Sequence, residues 1–248
     1  MIRILILSGI PALFLYLSSN AQLTETPEYR YITAEKTTRI GEIYDSLFQL
    51  DLRLVNGRVH TAKYPSGIGH PFFLTGEPVP GTICMDGREY KHSYIRYDLL
   101  NDGLQIFHFI KSGPQIIDLN KKNIEAFSIE GHHFINMTGV NVQGTSPEEG
   151  FFEEKYKGPY SYLIRRKKLY LDNITGSRGG YEEYTYRYLY TPRGLFRITN
   201  RRSLLKPFME NQEKIKEYIR KSQLTVKLAT DEQIINLIKY HASITGSF

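Results

Sequence analysis

The chain has 248 residues, 41% hydrophobic and 23% charged, with a formal net charge of +6, 19 Tyr, 13 Phe and a single Cys. This apolar and aromatic content excludes a disordered chain and suffices for one large domain or two small ones. The lone Cys excludes an intrachain disulfide, a cysteine metal finger, a thioredoxin-type pair and an iron–sulfur site, while the basic balance favours acidic partners.

Residues 1–21 have the three-part form of a secretory signal: Arg3, an uncharged and mostly apolar run over 4–17, then Ser19, Asn20 and Ala21, with small residues where a signal peptidase reads. A helix over 4–17 would reach only roughly 21 Å, short of a bilayer core of about 30 Å, so the segment reads as a signal rather than an anchor. Cleavage is expected before Gln22, and the junction lacks the Cys that a lipid anchor needs. The mature chain, 22–248, is expected to be exported to the periplasm or cell envelope, or outside the cell, with no later apolar run long enough to span a membrane.

After a polar stretch with a short helix predicted over 38–48, the texture from 52 to 199 is one of short segments rich in Tyr, Phe, Ile and Thr, broken by Gly, Pro, Asn or Asp at strand-and-turn spacing. Asp86-Gly87 predicts a hairpin, because a primed turn needs positive φ, and Cys84 in its first arm reads as a small buried hydrophobe. Asn101-Asp102-Gly103 predicts a second. Before it, Ile95, Tyr97 and Leu99 share one face and Tyr94, Arg96 and Asp98 the other. After it, Leu104, Ile106, His108 and Ile110 oppose Phe107 and Phe109, so this strand is apolar on both sides and expected to lie centrally. Further pairs are expected at 127–137, joined at Gly131, and at 151–170, turning at Gly158-Pro159.

Chemistry-bearing residues are sparse. Adjacent strand residues point to opposite faces, so His132 and His133 share a metal only if Gly131 places a turn or bulge there, and no His-Glu-x-x-His spacing exists. Neither a metal nor a cofactor is expected. Acid pairs occur at Glu148-Glu149, Glu153-Glu154 and Glu182-Glu183; the first two, flanking Gly150-Phe151-Phe152, read as solvated surface, and neighbours on a strand do not make the carboxylate pair of a glycosidase. Basic clusters at Arg165-Arg166-Lys167-Lys168, at Arg201-Arg202 and through Lys214, Lys216, Arg220 and Lys221 also read as solvated faces. A single Arg178-Gly179-Gly180-Tyr181 reads as a flexible turn, and the sequons at Asn136 and Asn173 are no more than chance supplies. There is no nucleophile elbow, phosphate-binding loop or dinucleotide fingerprint.

Tyr184, Tyr186, Tyr188 and Tyr190 alternate along one face of a predicted strand, with Thr185, Arg187 and Leu189 on the other, before Thr191-Pro192-Arg193-Gly194 turns the chain into 195–199. Core packing is the first expectation for these rings; a ligand-binding face formed by the four tyrosines with Arg187 is the second, since tyrosine joins an apolar ring to a polar tip. From 203 the period becomes helical through Leu204, Leu205, Phe208, Ile215 and Ile219. Leu224, Val226 and Leu228 suggest a short extended piece, and Thr230-Asp231-Glu232-Gln233 has the form of a capping box opening a last helix to about Ser243.

Several stretches together resemble a family of exported proteins of Bacteroidetes: Gly81 to Asp86 with Tyr90, Tyr97-Asp98-Leu99-Leu100-Asn101-Asp102, Gly150-Phe151-Phe152-Glu153, and a tail from Lys206 to His241 with its Ile-Lys and Leu-Ile-Lys pattern. The resemblance implies a signal-bearing, β-rich envelope protein with a helical C-terminus, from a Gram-negative source, and no assigned catalytic residues. From the residues themselves, the expected fold is mainly β with α, a single domain over 22–248. An antiparallel assembly (sandwich, curved sheet or open barrel) is followed by a helical segment, 203–248, packed on it. The expected function is non-catalytic binding of an envelope glycan, a lipid or another envelope protein, and not of nucleic acid. A hydrolase of envelope glycans or lipids using Glu153 or Glu183 near a His is the alternative, and a carrier for an amphiphile is a third reading.

Overall fold

The structure is a computed structural model describing residues 57–61, 63–110, 113–140, 149–172 and 179–246; the expected signal, its cleavage point and the helix over 38–48 lie outside these. Alternating patterning builds eleven strands: β1 (Arg58–Val59), β2 (Val79–Met85), β3 (Arg88–Asp98), β4 (Gly103–Ile110), β5 (Gly113–Asp118), β6 (Ile124–Ile129), β7 (His132–Asn136), β8 (Phe151–Tyr156), β9 (Ser161–Leu171), β10 (Gly180–Thr191) and β11 (Gly194–Ile198). Two of the expected turns carry their chemistry openly. Asp86 and Gly87 have φ of 50° and 72°, and Glu130 and Gly131 have φ of 48° and 76°, the paired positive values of two-residue primed turns, which match the right-handed twist of their strands.

The strands form one continuous antiparallel sheet in the order β1-β5-β4-β3-β2-β6-β7-β8-β9-β10-β11. It curls, because Lys168 N–H on β9 donates to Leu99 O just past the end of β3 at 3.0 Å, five places away in strand order. Of the three assemblies open to the sequence, a strongly curved sheet is the one formed. β4 lies third from one edge rather than centrally; its second apolar face is instead covered locally, with the Arg96 guanidinium 5.0 Å from the Phe107 ring.

Register fixes the faces. Phe127, Phe134, Glu153, Ile164, Arg187 and Ile198 are successive cross-strand partners and therefore lie on one face. At one end of that face Tyr97, Phe127, Phe134 and Phe151, all 1% exposed or less, pack edge-on and stacked with centroids 4.8 to 5.8 Å apart. Each such pair adds about 0.5–1.5 kcal/mol beyond area burial. At the other end the chain covers Tyr162, Ile164, Leu189 and Ile198 with its C-terminal helices α1 (Arg201–Leu205), α2 (Gln212–Lys221) and α3 (Asp231–Thr245). A 3-10 turn, Lys206–Asn211, joins α1 to α2.

Capping boxes open α1 (Asn200 with Ser203) and α3 (Thr230 with Gln233), and Gly246 closes α3 with φ of 66°. Residues 224–229 form a turn and not the extended piece expected: Leu224 and Val226 are buried and Leu228 is 82% exposed, so their alternation marks a coil with two apolar anchors. The outer face carries a smaller cluster of Met137, Phe152, Leu163, Tyr188 and Leu195.

The basic run 165–168 is a set of internal brackets and not a solvated face. Arg165 is 2% exposed, and its Nη1 donates to Asp102 Oδ1 at 2.7 Å, to Phe151 O at 2.8 Å and to the Tyr97 hydroxyl at 3.3 Å. Lys121 also binds Asp102. Lys168 Nζ holds the irregular segment before β2 through the carbonyls of His70 and Phe72. Asp98 ties the same segment down from the other side, accepting from Tyr64 at 2.8 Å and from the backbone N–H groups of Leu100 and Asn101.

Candidate functional site

The structure divides the tyrosine row. All four side chains lie on the face opposite the C-terminal helices, but Tyr188 is fully buried beside Phe152, 5.2 Å away in an edge-to-face pair, and is core. Tyr184 and Tyr186 are half-buried and Tyr190 is 39% exposed. The Tyr184 hydroxyl donates to Glu182 Oε2 at 2.5 Å. Arg187 lies on the helix-covered face and donates to Val226 O at 3.2 Å, tying β10 to the coil between α2 and α3.

Two of these residues, Tyr186 and Arg187, come together again in a groove of about 340 Å³ where β11 ends beside β10, with Thr185, Arg197, Ile198, Thr199, Val226 and Lys227 as the rest of its lining. The pairing of Tyr188 with Arg197 and of Arg187 with Ile198 brings the groove's strand residues side by side. Arg197 lies over the Tyr186 ring at 4.4 Å, a cation–π contact that holds its guanidinium in place. The lining takes Arg187 from the helix-covered face and Tyr186 with Arg197 from the opposite face, together with Thr185, Thr199 and Lys227, and it contains no carboxylate. Fixed guanidinium forks, a lysine and hydroxyl donors with no competing anion suit a carboxylate, sulfate or phosphate on a hydroxylated ligand.

Arg197 follows from the hairpin at Pro192-Arg193, since a two-residue connection sets it opposite Tyr188. Lys227 reaches the groove through helix docking, for which the sequence carries no short-range signal.

Elsewhere the structure brings acids and histidines together as brackets. Glu153 is 1% exposed, a correction to its reading as solvated surface: it shares the inner face with Phe134 and Ile164 and binds His132 Nδ1 at 2.6 Å, Arg166 Nε at 2.9 Å and Lys155. Burial pushes its carboxyl up, but the bonds from Lys155, His132 and Arg166 outweigh this and hold it below the ordinary carboxylate range. Glu183 pairs with the same Arg166 at 3.1 Å. A carboxylate so engaged has no open edge for proton transfer to a substrate.

His133 points to the other face of β7, where its Nδ1 meets Ser128 Oγ at 3.0 Å. Near the first edge, Asp118 meets His60 Nδ1 at 2.8 Å, and Gln105, 1% exposed, bonds to Asp118, Tyr64 and Arg96. This network fastens the segment before β2 to the outer face of β3 to β5. Burial and the neighbouring Asp98 push the Tyr64 hydroxyl well above its ordinary range, so it stays a proton donor. Among the described residues no three metal-binding side chains converge, and no helix is long and apolar enough to cross a membrane.

The fold defines an antiparallel, strongly curved sheet with a C-terminal helical cover, and the groove gives it a cationic recess. Compared with protein-family models, curated proteins and solved structures, the chain matches none.

Proposed function

We propose that the protein is an exported, non-catalytic binding protein of the cell envelope whose ligand is an acidic glycan, held in the groove between β10, β11 and the coil before α3. One observation carries this reading: Arg187, Arg197 and Lys227 line a single groove with three hydroxyl-bearing side chains and no carboxylate. A glycan acid supplies the anion for these cations and hydroxyls for the threonines and Tyr186, whereas a lipid tail would need an extended apolar wall that Ile198 and Val226 alone do not make. The inner face, which an amphiphile carrier would keep hollow, is filled by Tyr97, Phe127, Phe134 and Phe151.

The test is binding of 22–248 to an acidic oligosaccharide such as an oligogalacturonate, against its neutral galactose counterpart, at two salt concentrations. Saturable binding of the acidic form that weakens with salt is expected, with Arg197→Gln and Lys227→Gln each weakening it by about tenfold or less, as one partly solvated charge contact allows. Equal binding of the neutral sugar, or unchanged binding by the double variant, would overturn the reading.

A further inference from the structure

The positive charge of the chain is concentrated on its helical cover. Residues 199–230, which hold α1, the 3-10 turn, α2 and the coil before α3, carry eight Lys and Arg against three Glu, whereas the rest of the sequence has 24 Lys and Arg against 23 Asp and Glu. Two of the three acids are already spent: Glu213 pairs with Lys216 at 2.7 Å and Glu217 with Lys221 at 2.9 Å. Arg201, Arg202, Lys206, Lys214, Arg220 and Lys227 are all exposed, and none of them makes an ion pair or hydrogen bond with another described residue.

The fold turns these cations outward. Leu204 and Leu205 of α1, and Ile215 and Ile219 one turn apart on α2, are the buried side of each helix, which leaves the charged positions between them on the solvent side.

Leu228 breaks this polar surface. At 82% it is the most exposed large hydrophobic side chain among the described residues. It is held out and not loose: its N–H donates to Thr225 O at 2.9 Å, closing a turn, and Val226 and Ala229 on either side are buried. Such a turn needs only a polar residue there. The coil that carries Leu228 lies beside the approach to α1, since Thr199, Val226 and Lys227 line the same groove, and it follows directly on Arg220 and Lys221 at the end of α2. One fixed apolar side chain is thus set among unpaired cations.

We propose that this face of the helical cover docks on an anionic lipid bilayer, with Leu228 entering the boundary between headgroups and acyl chains and with Arg201, Arg202 and Arg220 on lipid phosphates. A polyanion in solution, nucleic acid included, would answer the cations and leave the leucine in water, whereas a charged bilayer answers both. One leucine is too small a contact to hold a neutral membrane, so binding depends on the charge. The surface adjoins the cationic groove and does not rest on the glycan reading of it.

The test is flotation of 22–248, the expected mature chain without the apolar run at 4–17, with vesicles of phosphatidylcholine containing phosphatidylglycerol, against vesicles of phosphatidylcholine alone. Binding to the anionic vesicles that weakens with salt is expected, with about fivefold lost for each charge removed in Arg201→Gln, Arg202→Gln and Arg220→Gln, and about tenfold lost in Leu228→Gln. The chain has no Trp, so Leu228→Trp, a change at an exposed side chain, places a single reporter at the contact. Its emission is expected to shift to the blue on anionic vesicles and to be quenched by lipids brominated in their acyl chains. Leu228 is not part of the groove lining, so Leu228→Gln is expected to bind oligogalacturonate as the unsubstituted chain does, which separates the two sites. No binding to the anionic vesicles, equal binding to both kinds, full vesicle binding by Leu228→Gln, or an unshifted Trp emission on bound vesicles would each overturn the proposal.

Discussion

Gly150 stands where the Asp102–Arg165 bracket passes the start of β8, and replacing it with alanine tests whether that bracket holds the curl closed. Its φ is +130°, and a Cβ built there would fall onto the Asp102 carboxylate and 2.5 Å from Arg165 Nη2. Two costs separate. The backbone term for a side chain in that region is about 1–3 kcal/mol. The second is parting a pair whose side chains are 14% and 3% exposed; loss of a partner from a buried pair costs about 3–5 kcal/mol, reduced here because Lys121 also holds Asp102.

A total of about 4 kcal/mol is therefore expected for Gly150→Ala, a large part of the roughly 5–15 kcal/mol that a domain commands. Gly87→Ala is the control: its φ is also positive, +72°, but nothing lies within 4 Å of its Cβ, so only a conformational cost of about 1 kcal/mol is expected. Urea unfolding followed by far-ultraviolet circular dichroism gives both values. If Gly150→Ala lies within about 1 kcal/mol of Gly87→Ala, or costs as much in an Asp102→Ala background as in the wild type, the steric reasoning is wrong.

The divided tyrosine row makes a second contrast: Tyr188→Ala is expected to cost about 3–5 kcal/mol as a buried ring lost from the core, and Tyr190→Ala under about 1 kcal/mol, so equal urea midpoints for the two would contradict the packing described. Stability should also fall in acid. Arg165, Lys121 and Tyr97 outweigh burial to hold Asp102 below its ordinary 3.8, and Glu153 is held below its ordinary 4.5, so their contributions are complete above those values and vanish as pH falls through the lower, folded ones. The urea midpoint is expected to begin dropping below about pH 4.5 from these groups; a midpoint that rises between pH 4.5 and 3 would contradict it.

What was legible in the sequence was local. Period-two patterning and positive-φ turn residues mark the hairpins because both are set by a few neighbouring residues, and the capping box of α3 is set within four. The charges of the interior were misread for the converse reason. Glu153 has the parity of Phe151, which places it on the inner face, but whether a carboxylate is tolerated there depends on His132 and Arg166, brought from other strands by register. Arg165 likewise looks like one charge in a basic run until the curl of the sheet delivers Asp102 to it. Of the binding candidates, Tyr186 and Arg187 belong to the groove while Tyr188 does not, a division made by what packs on each face and not by their spacing.

The stretches Gly81 to Asp86, Tyr97 to Asp102 and Gly150 to Glu153 coincide with the joints of this sheet. Gly81 lets β6 approach, since a Cβ there would lie 2.6 Å from Ser128 O; Tyr97, Asp98 and Asp102 anchor the curl and the segment before β2; Gly150 and Glu153 admit and complete the buried ion pairs. Tyr186, Arg187 and Arg197 lie outside those stretches. A chain can therefore keep every joint and change the groove, because none of these joints passes through its lining. Keeping these joints then keeps the fold and leaves the ligand to be decided by the residues at positions 185–187, 197–199 and 226–227, which is where comparison with any related chain should begin.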